Sequence, residues 1–84
     1  MGVSSFQPTA PDCPELTDYD RAHAGAYLRL LDAEAADATW EAMAQGVLGQ
    51  DIGVDPAAAH IMLASHLQRA HWLRDGGFFR LLRE

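Results

Sequence analysis

Residues 55–75 read DPAAAHIMLASHLQRAHWLRD, and this run decides the fold. Asp55 followed by Pro56 is a helix start: the carboxylate can accept from the first turn, and the proline's fixed φ suits the first helical position. Neither glycine nor a second proline follows until Gly76 and Gly77, which end the helix near Asp75. At 100° per residue Ala59, Met62, Leu63, His66, Leu67, Ala70 and Leu73 fall on one side, the core face of a long helix. Ile61, Ser65, Gln68 and Trp72 form a second stripe away from it, and its two large apolar groups need a cover. The segment 78–82, a helical turn or two folding back, is one cover; a partner protein is the other.

Working upstream, Thr39 is an N-cap for a short helix in which Trp40, Met43, Ala44, Val47 and Leu48 keep the spacing of a buried stripe, with Gly49 as its end. A loop with two glycines then leads to Asp55. Thr17 with Asp20 resembles a capping box and opens a first helix running from 18 to about 36, rich in Ala and Leu. Asp18, Arg21, Gly25, Arg29, Asp32 and Ala36 make its narrow solvent stripe, so the broad apolar remainder demands several neighbours. Within that remainder Asp20, His23, Tyr27 and Glu34 line up as a polar seam, an edge that suits the rim of an interface or a solvated rim. Residues 1–16 hold Pro8, Pro11 and Pro14 with little apolar periodicity, the composition of a disordered N-terminal tail. The expected architecture is all-α. Residues 17–84 form three main helices plus a short C-terminal helix, in the order of a helix-turn-helix domain whose turn is extended.

Composition narrows the function. Eighty-four residues support one small domain, and 49% hydrophobic with 21% charged residues is a globular composition. Twelve acids oppose six bases, all arginine, for a formal charge of −6 that repels a phosphate backbone. The imbalance is local as well: residues 39–66 contain three acids and no base, while four of the six arginines lie after residue 66. The face that a recognition helix would offer to DNA is Ala57, His60, Ile61 and Ala64 with Gln68 beyond, and nothing there grips phosphate. Direct DNA binding is therefore not expected.

A lone Cys13 forms no internal disulfide, no apolar run spans a bilayer, and the N-terminus is not a secretory signal, which makes a soluble cytoplasmic protein the default. His60, His66 and His71 lie six and five positions apart on one helix, so neighbours point to different faces and do not chelate one metal. Cys13, between Asp12 and Pro14, sits in an acidic stretch that disfavours a nucleophile. No phosphate loop and no Gly-x-Ser-x-Gly occurs. No enzyme, metal or cofactor is expected, and His66 itself suits a hydrogen-bonded interior position.

YLRLLDAEA at 27–35, the Trp40 helix ending in VLG at 47–49, SHLQRAHW at 65–72 and GFFRLL at 77–82 together resemble a proteobacterial domain family long classed as being of unknown function. The resemblance covers about residues 17–83 and rests on the ordered set rather than on one motif. Members occur in regulators of integrative and conjugative elements, fused behind another domain in FseA-type transcriptional activators and alone in QseM-type antiactivators. The acidic single domain is most similar to the latter. The resemblance implies an extended-turn helix-turn-helix fold and an antiactivator that occupies the activator's companion domain in place of the activator's own copy. It also implies a second partner, a quorum-sensing regulator of the TraR type.

Such an interface draws most of its affinity from buried aromatic and arginine anchors, which singles out Tyr27, Arg69 and Trp72. His66, Phe79 and Arg80 join them because they match the family's C-terminal run, although the same residues suit closing the core. The expected surface is shared by the first helix and the C-terminal end of the 56–75 helix. The competing expectation is a dimeric DNA-binding regulator whose arginine-rich C-terminal ends combine into a basic patch, with affinity that falls steeply with salt.

Overall fold

The computed structural model describes residues 6–76 and 78, and each of the three expected helix starts is a cap in it. The Thr17 hydroxyl accepts from the Asp20 amide while the Asp20 carboxylate accepts from the Thr17 amide, a complete capping box. Thr39 accepts from the Ala42 amide, and Asp55 accepts from the Ala58 amide with Pro56 just inside. The resulting elements are α1 (Asp18–Ala22), α2 (Ala24–Ala35), α3 (Trp40–Gly46) and α4 (Pro56–Asp75). Among the described residues there is no strand; the protein is a small all-α domain.

The first helix is not continuous. It opens at His23, where φ −113° and ψ 18° leave the helical range. The cause is local: the His23 ring stacks on that of Tyr19 at 4.1 Å and its Nδ1 donates to the Tyr19 carbonyl at 2.9 Å, so the residue serves its own preceding turn. Three main helices thus become four. The expected short C-terminal helix lies outside the described residues.

Each remaining end has an identifiable stop. After α2 the Ala38 amide donates to the Ala33 carbonyl at 3.0 Å and the Asp37 amide to the Glu34 carbonyl at 3.0 Å, a Schellman closure that places Asp37 at φ 60°. After α3 the chain turns at Gly49, φ 68°, three residues beyond the last helical position, and the Gln50 amide returns to the Ala44 carbonyl at 3.0 Å.

α4 is the central element, with α2 and α3 both packed on it. Around its N-terminal half Leu30, Met43, Leu48, Met62 and Leu63 form one buried cluster; around its C-terminal half Tyr27, Ala70 and Leu73 form another. The solvent stripe expected for the first helix is exposed at all six positions. The expected core face of α4 is buried except for Leu67, which is half-buried.

One expectation is overturned. Residues 6–16 are not a free tail: they run as a strap along α1 and α4, fixed by bonds to Tyr19, Ser65 and Arg69. The composition argument failed because these contacts use main-chain groups and so leave no apolar periodicity to read.

Asp37 is a non-glycine residue in the left-handed region, exposed to water and with no side-chain hydrogen bond among the described residues. Asp37→Gly is expected to raise unfolding free energy by about 0.5–1 kcal/mol, read as a higher urea midpoint at unchanged slope.

Candidate functional site

Between the two apolar clusters α4 carries His66 and Arg69, and both are buried. The capping box of α1 places Asp20 opposite them. Its carboxylate is fully buried and receives five hydrogen bonds: Oδ1 accepts from Tyr27 Oη (3.0 Å) and Arg69 Nε (3.1 Å), and Oδ2 from Arg69 Nη2 (2.7 Å), Thr17 N (2.9 Å) and Thr17 Oγ1 (3.0 Å). Arg69 therefore grips Asp20 with two nitrogens, the fork geometry that suits a carboxylate. The same guanidinium reaches outward to the strap, with Nη1 donating to the Cys13 carbonyl and Nη2 to the Glu15 carbonyl, each at 2.7 Å. Its carbon lies 4.1 Å from the centre of the Trp72 ring, a cation–π contact.

His66 is held as a defined tautomer. The Met62 carbonyl, which only accepts, lies 2.7 Å from Nδ1, so Nδ1 carries the proton and Nε2 accepts from Tyr19 Oη at 2.6 Å. Tyr19 Oη in turn accepts from the Gln7 amide at 2.9 Å. Among the described residues no buried side-chain nitrogen or oxygen lacks a partner, so the donors and acceptors of this cluster are all committed to the protein itself.

Titration follows this geometry. Burial pushes the Asp20 carboxyl up, but the donors from Arg69, Thr17 and Tyr27 outweigh it and hold the group below its ordinary 3.8. Arg69 is raised by its bond to Asp20, against the effect of its own burial. Burial raises the Tyr27 phenol, and the adjacent Asp20 charge adds to this. His66 is lowered from 6.5, chiefly because burial disfavours imidazolium, with the Met62 bond opposing and His23 adding repulsion.

These observations redistribute the anchors expected from sequence. Tyr27 and His66 are 0% exposed and Arg69 is 4% exposed, so none of them is a surface anchor; all three close the interior. The polar seam of the first helix is corrected likewise, since Asp20 and Tyr27 form this buried centre rather than a rim. Of the seam's other members, Glu34 accepts from His71 Nε2 at 2.6 Å and ties α2 to α4. Trp72 is half-buried beneath Phe78, their rings 4.6 Å apart and near-parallel. Phe79 and Arg80 lie outside the described residues. Sequence reasoning missed Tyr19, Ser65 and the strap; the available signal was a pair of opposite charges, Asp20 and Arg69, each on a helix face otherwise assigned to the core.

The second stripe of α4 is covered in part. Ser65 accepts from the Ala10 amide at 3.0 Å, and Pro11 and Pro14 of the strap form a shallow groove with Gln68, Arg69 and Trp72. Ile61, on the same stripe, is 55% exposed, and Val54 is 79% exposed. Ala57, His60, Ala64 and Gln68 are exposed beside Ile61, and the ring of His60 meets the edge of Trp40 at 5.0 Å. Among the described residues no three His, Cys, Asp or Glu side chains converge on a metal-sized site, and no helix is long and apolar enough to cross a membrane. No protein-family model matches the chain, and no curated protein is detectably similar to it.

Asp20→Asn leaves Arg69 buried without its counter-charge, and is expected to cost about 3 kcal/mol or more, measured by urea denaturation at neutral pH. The unfolded chain protonates His66 at a higher pH than the folded one. The stability contributed by neutral His66 is therefore complete above about pH 6.5 and is lost as pH falls through its lowered folded value. Asp20 acts in the same sense at more acid pH, below its ordinary 3.8. Melting temperature should hold steady above about pH 6.5 and fall as the solution is made more acid than that, and His66→Gln should flatten the slope.

Proposed function

We propose that this protein is a non-catalytic, cytoplasmic antiactivator that binds the companion domain of an FseA-type transcriptional activator. It stands in for the activator's own related domain and so blocks expression of genes for excision and transfer of a conjugative element. The observation that carries this reading is the exposed half of α4. At the position of a recognition helix the chain offers Ala57, His60, Ile61 and Ala64, with no basic residue anywhere from 39 to 66. Phosphate contacts supply most nonspecific affinity for DNA, and this face has none to make. What it has is exposed aliphatic surface at Ile61, preceded by a loop in which Val54 is exposed between the acids Asp51 and Asp55. Such a face suits a protein partner with an apolar centre and a basic rim. A quorum-sensing regulator of the TraR type is a second partner, on the resemblance alone.

The test is an NMR titration of the labelled protein with the companion domain and, separately, with the activator's promoter duplex. Shifts centred on Ile61 and Ala64 with the companion domain, little changed between about 0.1 and 0.5 M salt, support the reading. Binding to the duplex alone, with affinity falling steeply over that salt range, makes the protein a DNA-binding regulator and overturns it. Ile61→Asp is expected to weaken companion-domain binding about ten-fold or more while leaving helicity and melting temperature nearly unchanged, because the side chain is exposed.

A further inference from the structure

The polar hold on the strap is through its own main chain, while Phe6 and Leu16 at its two ends pack on the two apolar clusters. The Gln7 amide donates to Tyr19 Oη at 2.9 Å, the Ala10 amide donates to Ser65 Oγ at 3.0 Å, and the Cys13 and Glu15 carbonyls accept from Arg69 at 2.7 Å each. The groups that grip are side chains of α1 and α4; the groups gripped exist in any polypeptide. One aromatic side chain is added, Phe6, whose ring lies 4.8 Å from that of His23 and 5.6 Å from that of His66. Side-chain donors and acceptors aimed at the backbone of a nonhelical segment, with a place for one aromatic residue, make a peptide-recognition surface.

We infer that the groove between α1 and the Ser65-to-Trp72 face of α4 is a peptide-binding site occupied in cis by residues 6–16. Its ligand in trans is a nonhelical segment of a protein partner, with an aromatic side chain and two acceptor carbonyls at the spacing of Phe6, Cys13 and Glu15. Continuity along α4 favours a protein partner as the source. Ile61 is exposed one turn before Ser65 on the same stripe, so a partner seated on the bare half of α4 meets the strap without crossing another helix. Exchange uncovers Arg69, whose bonds to the strap are to carbonyls that an incoming backbone replaces like for like, while its fork on Asp20 stays in place. Pro8, Pro11 and Pro14 restrict the free strap and lower the ordering cost of its return. This inference rests on the reading of the chain as a protein-binding module and specifies how binding proceeds.

The experiment uses full-length protein and a fluorescent synthetic peptide of residues 5–17 carrying Cys13→Ser, with anisotropy as the readout. In the wild type the tethered strap competes at an effective concentration of about millimolar, so the peptide binds weakly. Phe6→Ala with Ala10→Pro removes the aromatic anchor and one N–H from the tethered strap alone, and should tighten peptide binding about ten-fold or more. Phe6→Ala by itself, the milder variant, should give a smaller gain. Adding Ser65→Ala to the double variant should weaken peptide binding again.

Variants that keep their helical circular dichroism yet bind no better than wild type overturn the inference, as does binding indifferent to Ser65→Ala. Loss of helical structure in both variants overturns it too, because the strap is then part of the core. A companion domain that binds while the Gln7 and Ala10 amide signals stay fixed overturns the inference and leaves the antagonist reading standing. Peptide binding without companion-domain binding does the reverse.

Discussion

The Asp20–Arg69 pair is the constraint on which the other polar contacts depend. Both groups are removed from water, and an isolated buried charge costs several kcal/mol, so each must be fully matched. That requirement recruits the surroundings. Thr17 and Tyr27 complete the carboxylate, the strap carbonyls complete the guanidinium, and the backbone of residues 13–15 is thereby brought onto α4. The pair joins α1 to α4 across a sequence separation of 49 residues. Local helix formation cannot supply that long-range link. A buried ion pair of this kind is weak evidence of net stability, but it permits only one arrangement of α1, α4 and the strap, because any slip strands a charge.

Which parts of this were legible in the sequence depends on the range of the interaction. Helix caps at Thr17, Thr39 and Asp55 are decided within four residues and were read correctly, as were the solvent stripe of the first helix and the buried face of α4. The break at His23 was not, because a histidine ring bonding back one turn competes with an otherwise uniform Ala-rich pattern. Arg69 and Tyr27 suit a surface anchor and a core position equally in the sequence: arginine and tyrosine that give up water for a matched partner are as typical of an interface as of an interior polar cluster. Spacing does not distinguish the two. The strap was illegible for a third reason, since its bonds are made by amides and carbonyls that carry no residue identity.

The polar layer also determines what is left for function. With Asp20, Tyr27 and Arg69 committed to one another and His66 to Tyr19 and the Met62 carbonyl, these side chains hold the fold, and with the strap in place the surface available to a partner shifts to groups that they do not use. Those are the N-terminal half of α4 and the rim formed by Trp72 and the strap. The charge distribution separates the two ends: Asp51 and Asp55 bracket Val54 just before α4, whereas Arg69, Arg74 and His71, each paired with a carboxylate, belong to its far end. A partner with a basic rim is therefore favoured at one end only, which gives docking a direction.

A single exposed isoleucine is unremarkable on a protein surface, so Ile61 alone does not argue for an interface. The argument lies in what the rest of its stripe does. Ser65 and Trp72 are covered, one by the strap and the other by Phe78, Gln68 between them stays exposed, and the cover stops one turn short of Ile61. Extending the same strap along α4 would have buried Ile61 with the kind of backbone contact already in use. Instead the strap leaves the Ile61 stripe at Ser65 and turns its N-terminal portion toward Tyr19, His23 and His66, where α4 faces α1. The boundary between covered and bare α4 thus follows from where Tyr19 and His66 receive the strap, and it leaves a cation-free helical face beside a groove already shaped for a backbone.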